Sequence, residues 1–234
     1  MTRRYIYVIL TYIIMQFSAL LAVPLLVFGF NADPVLASVY WSVFSFTIGL
    51  VIVLLLLKPD MQVRAHSDAV GVGGIIVWSV LGIFMALLSQ GLAATIEMEV
   101  FGIDPGSENT QGIMNMARAV PIFVILPAIL APILEEIIFR KIIFGSLYKK
   151  MNFFFAAIIS ALIFAVIHWD FLHILVYTAM GFVFAFLYVQ TKRIIVPIIV
   201  HAGMNTLVVL AQFSLDPEEI QKRLDELQLI FFGG

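Results

Sequence analysis

Long apolar runs separated by short polar segments constrain this chain more than any other feature. A helix needs about 20 apolar residues to cross the hydrocarbon core of a bilayer, and about seven runs meet that length. They lie near residues 5–28, 35–57, 70–94, 119–148, 152–169, 171–190 and 194–213. Composition agrees, because 62% of the residues are hydrophobic and 12% are charged, against about 45–50% and 25% in soluble domains. The sequence therefore predicts an all-α polytopic membrane protein.

The predicted spans form a single transmembrane domain over residues 1–214, followed by a tail at 215–234. The first run, 5–28, exceeds the apolar core of a signal peptide, which is about 7–15 residues, and is interpreted as an uncleaved helix. The tail opens with Asp-Pro-Glu-Glu, a typical helix start. One apolar stripe follows, formed by Ile220, Leu224, Leu227 and Ile230. This pattern predicts an amphipathic helix on the membrane surface.

Lysine and arginine positions predict the orientation of the chain, because cytoplasmic loops carry an excess of both. If the N-terminus is cytoplasmic, the inner ends of the spans collect Arg3, Arg4, Lys58, Arg64, Lys149, Lys150, Lys192 and Arg193. The outer side then keeps Arg118, Lys222 and Arg223. We predict a multi-pass protein of the plasma membrane with its N-terminus inside and its C-terminus outside. Residues 95–118, with a turn at Asp104-Pro105-Gly106-Ser107, are predicted to be an external loop that acts as a connector or as a lid.

Strongly polar residues inside the predicted spans are few, and they fall in the last four spans. They are Glu135, Glu136, Arg140, His168, His201 and Asn205. Charged groups at membrane depth are costly unless they are paired or face water, so they mark functional sites. The alternative is that such residues only hold helices together. The first three spans are interpreted as scaffold and lipid contact.

Two neighbouring carboxylates in the fourth span are predicted to have different roles. Glu136 and Arg140 are four residues apart on one helix face, which favours a supporting ion pair. Glu135 is rotated about 100° from Glu136, so one arginine does not easily neutralise both. Glu135 is therefore the candidate for chemistry.

Ideal-helix counting places Glu135 and His168 at the same depth. Each lies about 24–26 Å along its helix from the turn near Met151. His201 and Asn205 share one face of the last span. The same count puts His201 roughly 13 Å nearer the inside than His168, and Pro197, tilt or unwinding would be needed to close that gap.

The available groups limit the chemistry. The absence of cysteine excludes a thiol peptidase, and Ser160 is not part of a Ser-His-Asp pattern. A carboxylate and a histidine around one water form a general-base pair, and a second histidine with an amide can stabilise an oxyanion. Two histidines and a glutamate are equally the ligands of a catalytic zinc. No basic run suggests a nucleic-acid partner.

Three motifs on successive hydrophobic helices resemble a known family. Glu135-Glu136-x-x-x-Arg140, Phe164-x-x-x-His168 and His201-x-x-x-Asn205 are similar to the motifs of the CPBP family, the CAAX-protease and bacteriocin-processing membrane peptidases. The resemblance covers about residues 119–213. It implies an intramembrane endopeptidase resembling the type II CAAX prenyl protease, acting on a peptide or protein at the membrane.

The resemblance also implies roles for individual residues. Glu135 and His168 would activate the hydrolytic water, and His201 and Asn205 would stabilise the oxyanion. Glu136, Arg140 and Phe164 would support the site. A mechanism without a cofactor is favoured over one with zinc held by Glu135, His168 and His201.

The substrate and the rival functions follow from the same comparison. The compact, cysteine-free chain is typical of bacteria, so peptide maturation, bacteriocin self-immunity or regulatory proteolysis is favoured over a prenylated substrate. The rivals are a non-enzymatic immunity or regulatory protein that uses the polar cluster for helix packing, and a small transporter. The sequence does not indicate an oligomeric state.

Overall fold

The computed structural model describes residues 2–62, 68–104 and 106–214, and within these ranges it contains helices and turns but no strand. The predicted all-α polytopic class is confirmed, because six helices in the described ranges are long and apolar enough to cross a membrane. The remaining predicted span, near 152–169, is a shorter helix of 15 residues. The predicted surface helix of the tail, 215–234, lies outside the described residues.

The first helix, α1, spans Arg3–Gly29 and is irregular in its second half. Regular α-helix is interrupted after Phe17 and resumes over Ala19–Pro24, and the last turns, Leu25–Gly29, are π-helical. Pro24 lies directly before the π-helical turns, and a proline removes one backbone donor from the helical ladder. The irregular bonding of α1 is consistent with that missing donor.

The next helices, α2 (Pro34–Met61) and α3 (Val72–Phe101), are regular and long. The side chain of Asp33 caps α2 by accepting from the backbone N–H groups of Val35 and Leu36. Gly102 ends α3 in the left-handed region, at a φ of 64°, which glycine adopts without steric cost.

The prediction that residues 95–118 form a loop is wrong over most of its length, because only 102–107, around the predicted turn, lies between helices. α3 continues to Phe101, and a further helix, α4, occupies Glu108–Ala119. Ser107 caps α4, because its Oγ accepts from the N–H of Thr110. Acidic residues near the end of α3 suggested a loop, but the first residue that stops the helix is Gly102.

Helix α5 (Pro121–Tyr148) carries the predicted carboxylates and has an unusual backbone. It is π-helical over Leu126–Leu130 and again over Glu136–Phe144. The N–H of Ala131 bonds to the carbonyl of Leu126, five residues back. In this register the carbonyl of Pro127 would need a donor from residue 132, which is a proline and has none. The fold leaves one carbonyl of α5 for another helix to satisfy.

The last three helices are α6 (Phe153–Ile167), α7 (Ile174–Thr191) and α8 (Ile195–Ser214). α7 is central and packs on α3, α6 and α8. α6 and α7 approach closely at Gly181, where an added Cβ would lie 2.8 Å from the Cβ of Ala161. Small residues allow such close packing of helices in a membrane.

Basic residues gather where the predicted topology places the cytoplasm. Asp60 pairs with Arg4 at 3.1 Å and lies 3.9 Å from Lys141. Lys192 pairs with Asp68, in the connection between α2 and α3. The orientation of this end towards the cytoplasm stays a prediction.

Candidate active site

A cavity of about 690 Å³ lies between the first helices and the last ones. Its wall includes Glu135 from α5, His168 after the end of α6, and His201 and Asn205 from α8. The structure thus brings all four predicted residues to one space. α4 lies along the same cavity through residues that include Asn109, Ile113 and Met116.

Glu136 lies behind this wall and joins two other site residues. Its side chain is 0% exposed. Nδ1 of His201 donates to Oε1 of Glu136 at 2.9 Å, and Nε of Arg140 lies 3.1 Å from Oε2. The predicted Glu136–Arg140 pair is therefore formed, with His201 as a third member. Because Nδ1 is held by Glu136, Nε2 of His201 lies on the side of Glu135, 3.7 Å from its Oε2.

Arg140 is fully buried and is surrounded by aromatic rings. The guanidinium carbon lies 4.6 Å from the ring centre of Phe164, 5.2 Å from that of Phe184 and 5.9 Å from that of Phe139. No guanidinium nitrogen makes a hydrogen bond to a described residue, so the contact with Glu136 is an ion pair without hydrogen-bond geometry. Attraction to Glu136 and to the ring faces stabilises this buried charge.

His168 is held by backbone and aromatic contacts. Its Nδ1 lies 2.8 Å from the carbonyl oxygen of Phe164, so in the neutral ring Nδ1 carries the hydrogen and Nε2 keeps a free lone pair. The ring stacks on Tyr177 at 4.2 Å. The Tyr177 hydroxyl accepts from Nδ2 of Asn109 at 3.3 Å. These contacts fix the ring and connect it to α4.

Phe164, predicted to support the site, lies between the two imidazoles. Its ring centre is 4.5 Å from that of His168 and 5.9 Å from that of His201. The two imidazoles therefore lie close to one aromatic ring. Ideal-helix counting places His201 roughly 13 Å nearer the inside than His168, which is more than these ring-centre distances allow. The count treats the whole of 171–190 as α-helix, whereas Phe171–His173 is a 3₁₀ turn and α7 begins at Ile174.

Asn205 satisfies the carbonyl that α5 leaves without a donor. Its Nδ2 donates to the oxygen of Pro127 at 3.0 Å. A carboxamide nitrogen has two hydrogens, and one remains after this bond. Asn205 both closes α5 against α8 and keeps a donor at the cavity wall.

The zinc alternative requires three ligands in one place. Glu135, His168 and His201 are the right residue types. Over the described ranges, however, no three His, Cys, Asp or Glu side chains lie close enough together to hold a metal ion. The three residue types that could bind zinc are present, but their side chains do not converge in this conformation.

Sequence reasoning missed Glu97, which is buried at 2% exposure near the end of α3. Its Oε1 accepts from the N–H groups of Leu175 and Val176, in the first turn of α7. Its Oε2 accepts from Nδ1 of His173 at 2.8 Å, and the other nitrogen of that ring lies 3.2 Å from the carbonyl of Gly106. Glu97 thus connects α3, α7 and the segment before α4. The sequence signal that could have placed Glu97 inside the helix is that further apolar residues follow it before Gly102.

Comparisons with known proteins agree with the three motifs. The family model described as Type II CAAX prenyl endopeptidase Rce1-like matches residues 117–207. YdiL of Bacillus subtilis (strain 168), named as a putative membrane peptidase, is 50% identical over 100% of this chain and 99% of its own length. MroQ of Staphylococcus aureus (strain USA300), named as a membrane-embedded CAAX protease, is 33% identical over 95% of this chain and 94% of its own.

This chain belongs to the CAAX protease family. The membership also agrees with the fold, since a membrane-embedded protease needs several membrane-spanning helices around its site. YxdF of Lactococcus lactis subsp. lactis (strain IL1403), named as a UPF0177 protein, is 28% identical over 56% of this chain and 73% of its own. No solved structure matches. The family makes this chain a membrane protease whose substrate is a peptide or protein at the membrane.

Proposed function

We propose that this CAAX-family protease hydrolyses a peptide bond in its membrane cavity, with Glu135 and His168 activating water and His201 and Asn205 stabilising the oxyanion. The observation that supports this assignment is the shared cavity. Side chains from α5, from the end of α6 and from α8 line it, although they lie far apart in sequence. An apolar cavity that carries a few convergent polar groups is typical of an active site.

Activation of water rests on two acceptors with different surroundings. The lone pair on Nε2 of His168 accepts one hydrogen of the water, and the Glu135 carboxylate accepts the other. As the water oxygen attacks the carbonyl carbon of the substrate, Glu135 takes the proton. Glu135 then returns this proton to the leaving nitrogen as the C–N bond breaks, so the carboxylate is regenerated.

Stabilisation of the oxyanion rests on donors already fixed by other contacts. The second hydrogen on Nδ2 of Asn205 is one donor. His201 donates from Nε2 only as an imidazolium, because Nδ1 already donates to Glu136. Preorganised donors of this kind are a large source of catalysis.

The metal-free mechanism fits the described geometry better than zinc. A zinc ion held by Glu135, His168 and His201 would supply a more acidic bound water. These residues would have to move together to bind it, since no three of the described ligand types converge. The hydrogen bonds at Nδ1 of His168 and of His201 leave Nε2 of each ring free, as in ordinary metal-binding histidines, so the preference for a metal-free mechanism rests on the separation of the three residues alone.

The substrate is proposed to be a bacterial peptide or protein that is matured, inactivated or released by cleavage. Peptide maturation, bacteriocin self-immunity and regulatory proteolysis all require this reaction. A prenylated substrate is not favoured.

The test uses purified protein in lipid nanodiscs and a fluorogenic peptide library. Glu135→Gln preserves shape but removes the base, and a general base contributes about 10²- to 10⁴-fold to the rate. We expect that loss in kcat/KM, with unchanged thermal unfolding. Glu99→Gln is the matched control, because Glu99 is exposed on α3.

Two outcomes separate the proposal from its rivals. Full cleavage by Glu135→Gln would remove the enzymatic role of that carboxylate and favour helix packing. A chelator added to the wild-type protein should leave cleavage intact; loss of cleavage, restored by zinc, would show that a metal is needed.

A further inference from the structure

Helices α1, α2 and α3 contain two carboxamide side chains within their bounds, Gln16 and Gln90. Gln16 belongs to α1 and Gln90 to α3, so the two are far apart in sequence. Both line the same cavity as the proposed catalytic residues. The helices interpreted as scaffold thus bring both of their carboxamides to the site.

Neither carboxamide has a structural partner in the described part of the chain. Oε1 of Gln16 and Oε1 of Gln90 are buried and accept no hydrogen bond from a described residue. Amide side chains in membrane proteins ordinarily hydrogen-bond between helices, but these two make no such bond to described residues. A buried polar group without a partner is costly, so each amide group gains by turning about its last side-chain torsion towards a partner in the cavity.

A peptide substrate has the complementary chemistry. A segment must be extended for its peptide bond to be attacked, and its N–H and C=O groups then lose their helical partners. Within the membrane such groups need new partners. No Lys or Arg lines the cavity among the described residues, and much of its wall is apolar, including Met98, Met180 and Met204. Carboxamides provide both a donor and an acceptor without charge.

We propose that Gln16 and Gln90 bind the main chain of the substrate once their amide groups turn towards it, with Oε1 accepting from its N–H groups and Nε2 donating to its C=O groups. This inference rests on the proposed proteolytic function and assigns part of substrate binding to α1 and α3. The recognition is independent of side-chain identity, because every peptide presents the same main-chain groups. Both glutamines are substrate-binding residues and take no part in the proton transfers.

The test compares Gln16→Leu and Gln90→Leu with the wild type, using fluorescein-labelled and fluorogenic members of one peptide library. Leucine is similar in size and removes the hydrogen bonds. We expect KM and the dissociation constant to rise about tenfold in each variant, as for loss of one buried hydrogen bond. We expect kcat to change less than about twofold, because the bonds form equally in the bound and transition states. Gln190→Leu is the control, since Gln190 is exposed on α7.

A second measurement identifies the main chain as the ligand. Replacing one substrate amide by an ester removes one N–H donor. An ester at the contacted position should weaken binding to the wild-type protein about tenfold and leave binding to the matching Gln→Leu variant unchanged. A purely structural role for the glutamines would not produce this coupling.

The outcomes distinguish this inference from the proposed function. If both variants keep wild-type KM and affinity while Glu135→Gln is inactive, the inference is overturned and the proteolytic mechanism stands. If Glu135→Gln cleaves normally, the proposed mechanism fails. The fluorescence anisotropy of the fluorescein-labelled peptides still reports whether the two glutamines contribute to binding. Equal ester effects in wild type and variants would also overturn the inference.

Discussion

The first three helices and the last four differ in how much of their surface is buried. In the most apolar stretch of each of α1, α2 and α3, 17% of residues are buried, against 61% in α5. The first group faces lipid over most of its surface. The second encloses Glu136, Arg140 and His201, which tolerate burial only because they contact one another. Helices that enclose charged side chains at membrane depth are thus packed on all sides. Helices that only line the cavity are packed on one side.

The largest difference between the two regions should come from Arg140→Met. This change leaves Glu136 buried without its main partner, and breaking a buried pair typically costs about 3–5 kcal/mol of unfolding free energy. Thermal unfolding in detergent measures the effect. Lys141→Met is the control, because Lys141 is partly exposed and its nearest carboxylate oxygen is 3.9 Å away. Equal destabilisation by the two variants would show that the buried Glu136–Arg140 pair contributes no more to stability than a partly exposed charge on the same helix.

A smaller contrast should appear between two identical truncations. Leu134→Ala removes a side chain of α5 that is 0% exposed, whereas Leu88→Ala removes one of α3 that is 68% exposed. We expect a loss of about 2–3 kcal/mol in unfolding free energy for the first, from lost packing. The second should stay within about 0.5 kcal/mol. A cost for Leu88→Ala as large as that for Leu134→Ala would mean that the lipid-facing surface of α3 is covered by protein.

The smallest effect concerns the residue that connects the two regions. Glu97→Gln removes the charge that the start of α7 and His173 share, and hydrogen bonds to charged groups contribute about 1.5–3 kcal/mol. Since Gln retains one acceptor oxygen, we expect a loss of unfolding free energy at the lower end of that range. Glu99→Gln, exposed two residues further on, should be neutral within about 0.5 kcal/mol. Equal unfolding temperatures for these variants would show that α3 and α7 associate without this contact.

The residues that carry the site were predictable because polar groups are rare at membrane depth. Glu135, His168, His201 and Asn205 were recognisable from residue type and order, and they share one cavity. The i, i+4 spacing of Glu136 and Arg140 was enough to predict their pair. The roles of all these residues in the reaction stay predictions.

Departures from regular helix were not predictable in the same way. Counting with a fixed rise per residue assumes a regular α-helix, and α5 is π-helical over Glu136–Phe144. Glu97 was misplaced because acidic residues near a span end favour a loop, while its partners, Leu175 and Val176, are far away in sequence. Gln16 and Gln90 could not be predicted as site residues, because a single glutamine in a span does not indicate a binding site. Only the structure shows that both line the same cavity.

The shortness of α6 has a consequence for the surrounding lipid. Fifteen residues extend about 22 Å, against about 30 Å for the hydrocarbon core. Its outer face, which includes Phe154, Ile159 and Val166, is exposed. A short span is accommodated by local thinning of the bilayer, by flanking side chains that reach the interface or by association with other helices, and thinning beside α6 would bring headgroups and their hydration towards His168. The length of α6 thus links the thickness of the surrounding bilayer to the distance that water must cross to reach the proposed catalytic residues.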